Sequence, residues 1–563
     1  MKYPRKTVSK ERAINRRDFL RYSAVGSSLS FSEARVREPH LWTGTNRLQS
    51  SRPTFELEEA TIAQLQERLT SGELTARSIT ELYLARINEL DKNPSGLHSI
   101  LEINPDVLEI ADSLDRERQQ KGSRGPLHGI PVLLKDNIDT ADRMKTSAGS
   151  LALLDSTPPR DSFVAHQLRK AGAVLLGKTN LSEWANFRST RSSSGWSARG
   201  GQCRNPYVID RNPCGSSSGS GVSVSANLSA VAIGTETDGS IVCPSSANGI
   251  VGIKPTVGLI SRAGIIPISH SQDTAGPMAR TVTDAVTVLD ALVGIDSRDS
   301  TTNKSRGRSH LNYKNCLDVY GFNDARIGVA RNFLGFSHGV NRLMEAAITQ
   351  MQRLGATIID PINLSNMAQM AEAEREVLLY EFKTDLNIYL KQRSLVQSVT
   401  SLQKLIEFNE TNRDLEMPYF EQEIFVESAT KGPLSNKDYQ SALSLCTRLS
   451  RAEGIDRAVT THKLDAIVAP TGGPAWTTDL INGERFYTES SSRPAAVAGY
   501  PNITLPMGNI FGLPVGISFF GQAWSEPTLI KLAFAFEQAT RFRQTPNLLA
   551  TANLDSANEV VSE

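Results

Sequence analysis

The chain has few of the features that staple small folds or cross membranes. Five cysteines in 563 residues, with no CxxC pair, cannot form a disulfide framework. No stretch of about 20 apolar residues is present, so a spanning helix after the N-terminus is excluded. Excess charge of one sign is also missing. Sixty-one basic residues against sixty acidic ones leave +1, which gives no field to hold nucleic acid or an anionic membrane. The eight histidines contain no HExxH pair, which excludes a zincin. What is present is ordinary for a protein with a large core: 39% hydrophobic and 21% charged residues, which excludes a mainly disordered chain.

Residues 1–52 differ from the rest. They are basic and contain Asn15-Arg16-Arg17-Asp18-Phe19-Leu20-Arg21, which resembles a twin-arginine export signal. The segment after it is only weakly apolar, and no A-x-A cleavage site follows. The competing reading is a basic, disordered leader with a chance arginine pair. A working signal implies export to the periplasm; otherwise the protein is cytoplasmic.

From about Thr54 the pattern becomes regular. Leu65, Leu69, Ile79, Leu82, Leu84, Ile87 and Leu90 recur at helical spacing on two segments broken near Ser71-Gly72. Short buried strands are predicted at Gly129–Leu134, Ala173–Leu176, Ala230–Gly234, Ile327–Ala330, Thr357–Ile359, Ala466–Ala469, Ile503–Leu505 and Val515–Phe519. Helices are predicted at Asp161–Gly172, Asn341–Leu354, Met370–Leu390 and Pro527–Arg541. This alternation implies an α/β fold, a mixed twisted sheet covered by helices on both faces. The length alone suggests three or four domains, at about 100–200 residues each. No linker divides the body, so one large domain is expected over 53–550, with a flexible tail at 551–563. Ser297–Ser309 reads as a polar surface loop, and loops such as Ser401–Leu434 as pocket walls.

Pro213-Cys214-Gly215-Ser216-Ser217-Ser218-Gly219-Ser220-Gly221 is the most unusual segment. A linker is the plain reading of a Gly/Ser run, but a core-like run follows immediately. A phosphate loop fails, because no Lys-Ser/Thr follows and no G-x-G-x-x-G is present. Gly215-Ser216-Ser217-Ser218-Gly219 matches the G-x-S-x-G elbow with Ser217 as nucleophile, but Arg211-Asn212-Pro213 stands where a strand is needed. Such an α/β-hydrolase also lacks a recognisable context for its histidine. Downstream, Gly234-Thr235-Glu236-Thr237-Asp238-Gly239-Ser240-Ile241 follows a buried strand, and such a turn can aim several backbone N–H groups at one point. Lys135 ends an apolar strand, where desolvation favours the neutral amine. Taken alone, it is a lysine snorkelling from a strand end.

Together these residues resemble the amidase signature family. Gly215–Ser220 is similar to its GGSSGGS, 234–241 to its GTDTGGSI, Gly252-Ile253-Lys254-Pro255-Thr256 to its GLKPT, and Gly129-Ile130-Pro131-Val132 with Lys135-Asp136-Asn137 to its GIPV and KDN. Thr146–Ser150, Gly177–Asn180, Asp273–Arg280, Ala469-Pro470-Thr471, Gly499-Tyr500-Pro501 and Gly512–Gly516 extend the likeness over about 55–545. Within the family it narrows to bacterial peptide amidases, on Cys214–Ser220, Glu236–Pro244, Tyr380–Asn387 and Gly472–Trp476.

The resemblance implies the amidase signature fold and an amide hydrolase. It implies Ser240 as nucleophile, Ser216 as bridging serine, Lys135 as base, and the backbone N–H groups of Thr237, Asp238, Gly239 and Ser240 as oxyanion hole. Gly215 would precede Ser216 across a cis peptide bond. Ser217, Ser218 and Ser220 read as hydrogen-bonding support. The expected reaction releases ammonia from a carboxamide through an acyl-enzyme. The expected substrate is a small or short-peptide amide, above all the C-terminal amide of a peptide, with no cofactor, metal or obligate protein partner. Two departures from the family pattern stand out. Val242 replaces an arginine that could pair with a substrate carboxylate, and Asp238 adds a carboxylate at the pocket rim. Cys243 reads as a small buried hydrophobe. The alternatives are the glutaminase subunit of a tRNA-dependent amidotransferase, an amidase for other small or fatty amides, and a non-catalytic protein on the same fold.

Overall fold

The chain is described by a computed structural model covering residues 55–554, apart from 310–311, 365, 394–397 and 485–489. The leader and the end of the C-terminal tail lie outside the described residues. Thirteen strands occur among the described residues: β1 (Ile100–Ile103), β2 (Pro131–Lys135), β3 (Val174–Thr179), β4 (Trp196–Ser197), β5 (Gly201–Gln202), β6 (Val231–Glu236), β7 (Val251–Lys254), β8 (Thr274–Ala279), β9 (Arg326–Ala330), β10 (Thr357–Ile362), β11 (Ala466–Pro470), β12 (Asn502–Ile510) and β13 (Leu513–Phe520). β4 and β5 form a separate pair, and the other 11 build one sheet in the order β1-β3-β2-β6-β8-β7-β12-β13-β11-β9-β10. β3, β2 and β6 run parallel, as do β11, β9 and β10, and the central pairings are antiparallel.

Every residue of β2, β3, β6, β7, β8, β11 and β13 is buried. Strands covered on both faces read as continuous apolar runs, which is why several of them stand out in the sequence. β11 shows the two faces directly. Ala466 and Val468 join the main core, and Ile467 and Ala469 join a second cluster with Phe333, Ile455 and Ala495. Helices thus cover both faces of a mixed sheet. The three or four domains suggested by length are absent, because one continuous sheet carries the described residues.

Each strand predicted from the sequence is present with shifted ends. Five more are not predicted: β7 and β8 lie in motif segments whose Gly, Pro or Lys residues interrupt the apolar signal, β1 is a four-residue run interrupted by Glu102, and β4 and β5 are only two residues each. Ser401–Leu434 is not a loop that walls a pocket. It folds into the helices Leu402–Thr411, Arg413–Glu416 and Glu423–Thr430. There the buried Glu416 accepts from Leu151 N at 2.7 Å, and its carbonyl accepts from the buried Arg188 at 2.5 Å. Ser297–Ser309 carries a 3-10 turn, Ser300–Ser305, anchored by buried Thr302 and Ser305. Among the described residues no helix is long and apolar enough to cross a membrane.

Candidate active site

Two parallel strands and two turns bring Lys135, Ser216 and Ser240 to one place. β2 and β6 pair through Val132–Val231, Leu133–Ala232 and Leu134–Ile233, so their C-terminal ends finish side by side. Lys135 is the last residue of β2, and Thr235 and Glu236 are the last of β6. Ser216 lies in the turn before the helix Ser218–Ser225, across a cis Gly215–Ser216 bond. Ser240 lies in the turn between β6 and the helix Val242–Ala247.

Lys135 has no exposed surface. Its Nζ lies 2.7 Å from Ser216 Oγ, 2.9 Å from Thr235 Oγ1 and 3.2 Å from the Thr235 carbonyl. Asn137 Nδ2 donates to the same Thr235 hydroxyl at 2.9 Å. Burial lowers the Lys135 pKa to about 7, and the nearby Glu236 and Asp273 carboxylates oppose the drop. An ammonium can donate to all three partners; a neutral amine donates its two N–H groups to Thr235 and keeps a lone pair for the Ser216 hydroxyl.

Both turns are braced from behind. The Ser216 carbonyl accepts from Ser182 N at 3.0 Å. A side chain at Gly215 would meet Ser182 Oγ at 2.1 Å, so it would have to displace that hydroxyl from its 2.9 Å bond with Gly195 N. Ser217, Ser218 and Ser220 are fully buried. Their hydroxyls donate to the carbonyls of Thr235 (3.0 Å), Cys214 (2.6 Å) and Ile233 (3.0 Å). Ser217 therefore faces the scaffold and is no elbow nucleophile. Glu236, also buried, accepts from Ile241 N at 2.7 Å and Val242 N at 3.0 Å, fixing the far end of the Ser240 turn. Burial raises the Glu236 pKa, opposed by the Lys254 charge and those two N–H groups. Thr237 Oγ1 donates to Asp273 at 2.6 Å, and burial lifts Asp273 to about 6.

Between these braces the turn is open. Among the described residues no acceptor takes the N–H groups of Thr237, Asp238, Gly239 or Ser240. Gly239 turns the chain at φ +80°, a conformation costly for other residues. The Ser240 hydroxyl has no hydrogen bond among the described residues. The two serine turns meet through Ser217 N, which donates to the Ser240 carbonyl at 3.2 Å.

Ser240 lines a cavity of about 540 Å³ with Thr237, Asp238, Gly239, Cys214 and Cys243, faced by the apolar side chains of Phe187, Phe333, Met367 and Leu378. The Asp238 carboxylate stands at its wall and accepts from Ser492 Oγ at 2.5 Å. Val242 is fully buried and lines neither this cavity nor the next, so its side chain makes no pocket contact. A second cavity of about 500 Å³ lies on the side of Ser216, Thr235 and Asn137 and shares Ala185, Thr237 and Ile268 with the first. Its wall carries more charged side chains, among them Asp139, Asp273, Arg262 and Arg393, with His270 beside them. No residue of 401–434 lines either cavity.

Cys243 departs from the sequence expectation. It is no isolated hydrophobe but half-buried and disulfide-bonded to Cys214, with Cα atoms 5.9 Å apart. A spacing of 29 residues carries no pairing signal; only the folded turns bring the two together. Thr235, Glu236 and Asp273 also have individual roles that the sequence does not assign. Their place inside the conserved-looking motif segments is the one available signal.

The chain resembles known proteins over most of its length. The profile of the Amidase family matches residues 78–530. A probable amidase of Arabidopsis thaliana is 45% identical over 507 residues, 88% of this chain and 93% of the plant protein. A glutamyl-tRNA(Gln) amidotransferase subunit of Thermoanaerobacter pseudethanolicus is 32% identical over 519 residues, 88% of this chain and 100% of the bacterial one. Among solved structures, the native peptide amidase of Stenotrophomonas maltophilia is 52% identical with a TM-score of 0.84, over 88% of this chain and 100% of that one.

Proposed function

The chain belongs to the amidase family and is an amide-hydrolysing enzyme, and from that premise we propose that it releases ammonia from the C-terminal carboxamide of peptides through an acyl-enzyme on Ser240. The observation that carries the mechanism is the buried Lys135 amine, 2.7 Å from Ser216 and beside a turn whose N–H groups are unused.

Serine is a weak nucleophile until a base takes its proton. Neutral Lys135 takes the proton of Ser216, and Ser216 takes that of Ser240. The Ser240 oxygen attacks the carboxamide carbon. The developing oxyanion is met by the N–H groups of Thr237, Asp238, Gly239 and Ser240, which need no reorganisation at that moment. The relay then runs backwards and protonates the departing ammonia. Water, activated by the same relay, releases the acid. The Ser216–Ser240 hydrogen bond that the relay needs forms as substrate seats, since such contacts are often loose without it.

Two observations support a peptide over a smaller amide. One is the likeness to the Stenotrophomonas peptide amidase. The other is a cavity of about 540 Å³ beside Ser240, with aromatic and aliphatic walls able to hold a side chain. The glutaminase reading draws on the amidotransferase relative.

An ammonia-release assay separates them, offering an amidated dipeptide, glutamine, a fatty-acid amide and an aryl amide. We expect ammonia from the dipeptide amide with its internal peptide bond intact, and none from Ser240→Ala. Release from glutamine alone would transfer the protein to the amidotransferase side.

A further inference from the structure

The disulfide lies between the two serine-bearing turns. Cys214 is two residues before Ser216, and Cys243 is three residues after Ser240, in the first turn of the helix Val242–Ala247. The Ser240 hydroxyl has no hydrogen bond of its own among the described residues, so the backbones of the two turns set its distance from Ser216. Two direct links join those backbones: the 3.2 Å bond from Ser217 N to the Ser240 carbonyl, and the sulfur–sulfur bond. The other three cysteines, Cys203, Cys316 and Cys446, are unpaired thiols. The chain therefore has one disulfide among the described residues, and it is placed here. Its sulfurs are also within reach. Cys214 is buried, but Cys243 is half-buried, and both line the cavity that holds Ser240.

We propose that the Cys214–Cys243 bond is a positioning element that holds Ser216 in reach of Ser240, and that its reduction by a small dithiol switches amide hydrolysis off. The inference rests on the assignment of Ser240 and Ser216 made above. A thiolate of the dithiol enters the cavity and attacks Cys243 Sγ. The sulfur–sulfur bond breaks, and Cys214 leaves as a thiolate and takes a proton. The second thiolate of the reagent then closes on its own sulfur and releases Cys243, which is protonated in turn. Two electrons and two protons pass from the dithiol to the protein. The products are two cysteine thiols and one cyclic disulfide. Freed of the link, the two turns keep the Ser217 N–Ser240 carbonyl contact and the Ser217 hydroxyl on Thr235 at the strand end, but among the described residues nothing ties the Cys243 side of the Ser240 turn directly to Cys214. A displacement of the order of 1 Å between reacting groups can cost about 100-fold in rate.

The test uses the full chain and the amidated dipeptide. The values of kcat and KM are measured for the oxidised protein, after dithiothreitol, and after re-oxidation with oxidised dithiothreitol. Circular dichroism follows the fold in each state. We expect kcat to fall by at least about tenfold on reduction and to return on re-oxidation, with KM changed less than about twofold. The double variant Cys214→Ala/Cys243→Ala should start at the reduced value and ignore dithiothreitol. If that variant does not fold, the reversible wild-type pair still decides. A kcat in the reduced wild type within about twofold of the oxidised value overturns the proposal. If the oxidised protein does not turn over the dipeptide amide, the rate of Ser240 labelling by a fluorophosphonate replaces turnover. Fast labelling when oxidised and slow labelling when reduced would keep the switch and discard the peptide substrate. Equal labelling in both states removes the switch together with the peptide substrate but leaves Ser240 as nucleophile. No labelling of Ser240 in either state removes both.

Discussion

Lys135, Lys178 and Lys254 are all fully buried, and burial lowers the pKa of each. What separates Lys135 is its partners. Lys178 Nζ goes to the Ile138 carbonyl and to Thr146 Oγ1, and Lys254 Nζ donates to two carbonyls, so neither touches a reactive hydroxyl. Of the three, only Lys135 meets a serine, Ser216, whose neighbour Ser217 donates to the Ser240 carbonyl. The pH dependence follows with its sign. In the proposed mechanism the working form is the neutral amine, and burial brings the Lys135 pKa to about 7. Activity should therefore rise with pH through that value and level off above it. One unit below the pKa, roughly a tenth of the amine is neutral and about a tenth of the rate should remain. A kcat/KM profile checks this, and a flat line from about pH 6 to 8 would remove Lys135 as the titrating base. Lys135→Ala should lower kcat by about 100-fold or more. Much of this was legible from the strand end and its motif. The partners at Thr235 were not, because an apolar run says nothing about which strand lies beside it.

The Ser218–Ser225 helix is the element the sequence hides best. All eight of its residues are buried, yet it has no apolar stripe for a helical period to reveal. Its serines work as small core residues whose hydroxyls are satisfied by nearby groups, such as Thr179 Oγ1 for Ser220 at 2.8 Å. A Gly/Ser composition thus becomes an interior helix because it lets backbone approach backbone. Gly219 is the tightest point of that approach. A Cβ there would meet the Ser99 carbonyl oxygen at 2.2 Å and the Asn180 carbonyl oxygen at 2.5 Å, both backbone atoms that cannot rotate away. Gly219→Ala should destabilise the fold by about 1–3 kcal/mol or more, by overpacking. Thermal unfolding measures it, and a melting temperature within about a degree of the parent would contradict the tight fit. The apolar strands were readable for the opposite reason: burial on two faces writes itself into composition. The disulfide depends on pairing, which leaves no periodic mark, whereas the helix Leu402–Thr411 does leave one, in Leu402 and Leu405 at helical spacing behind the Ser401 cap.

At the scale of the molecule, the sheet order is what the chain does not spell out. β2 and β6 are neighbours although β3, β4 and β5 intervene in sequence, and this adjacency is what lets residues 135, 216 and 240 converge. It also seals the proposed base beneath the sheet ends, while other lysines stand in solvent. Lys404 and Lys531 have side chains 59% and 41% exposed. Amine-reactive esters should therefore modify the surface and leave turnover within about twofold, because a reagent must find an exposed neutral amine. Mass spectrometry of the modified protein together with residual kcat is the check; loss of activity in step with surface labelling would mean that the interior opens more than this fold allows. A protein built this way should tolerate tethering to a solid support through its outer amines, because the amine proposed as its base is out of the reagent's reach.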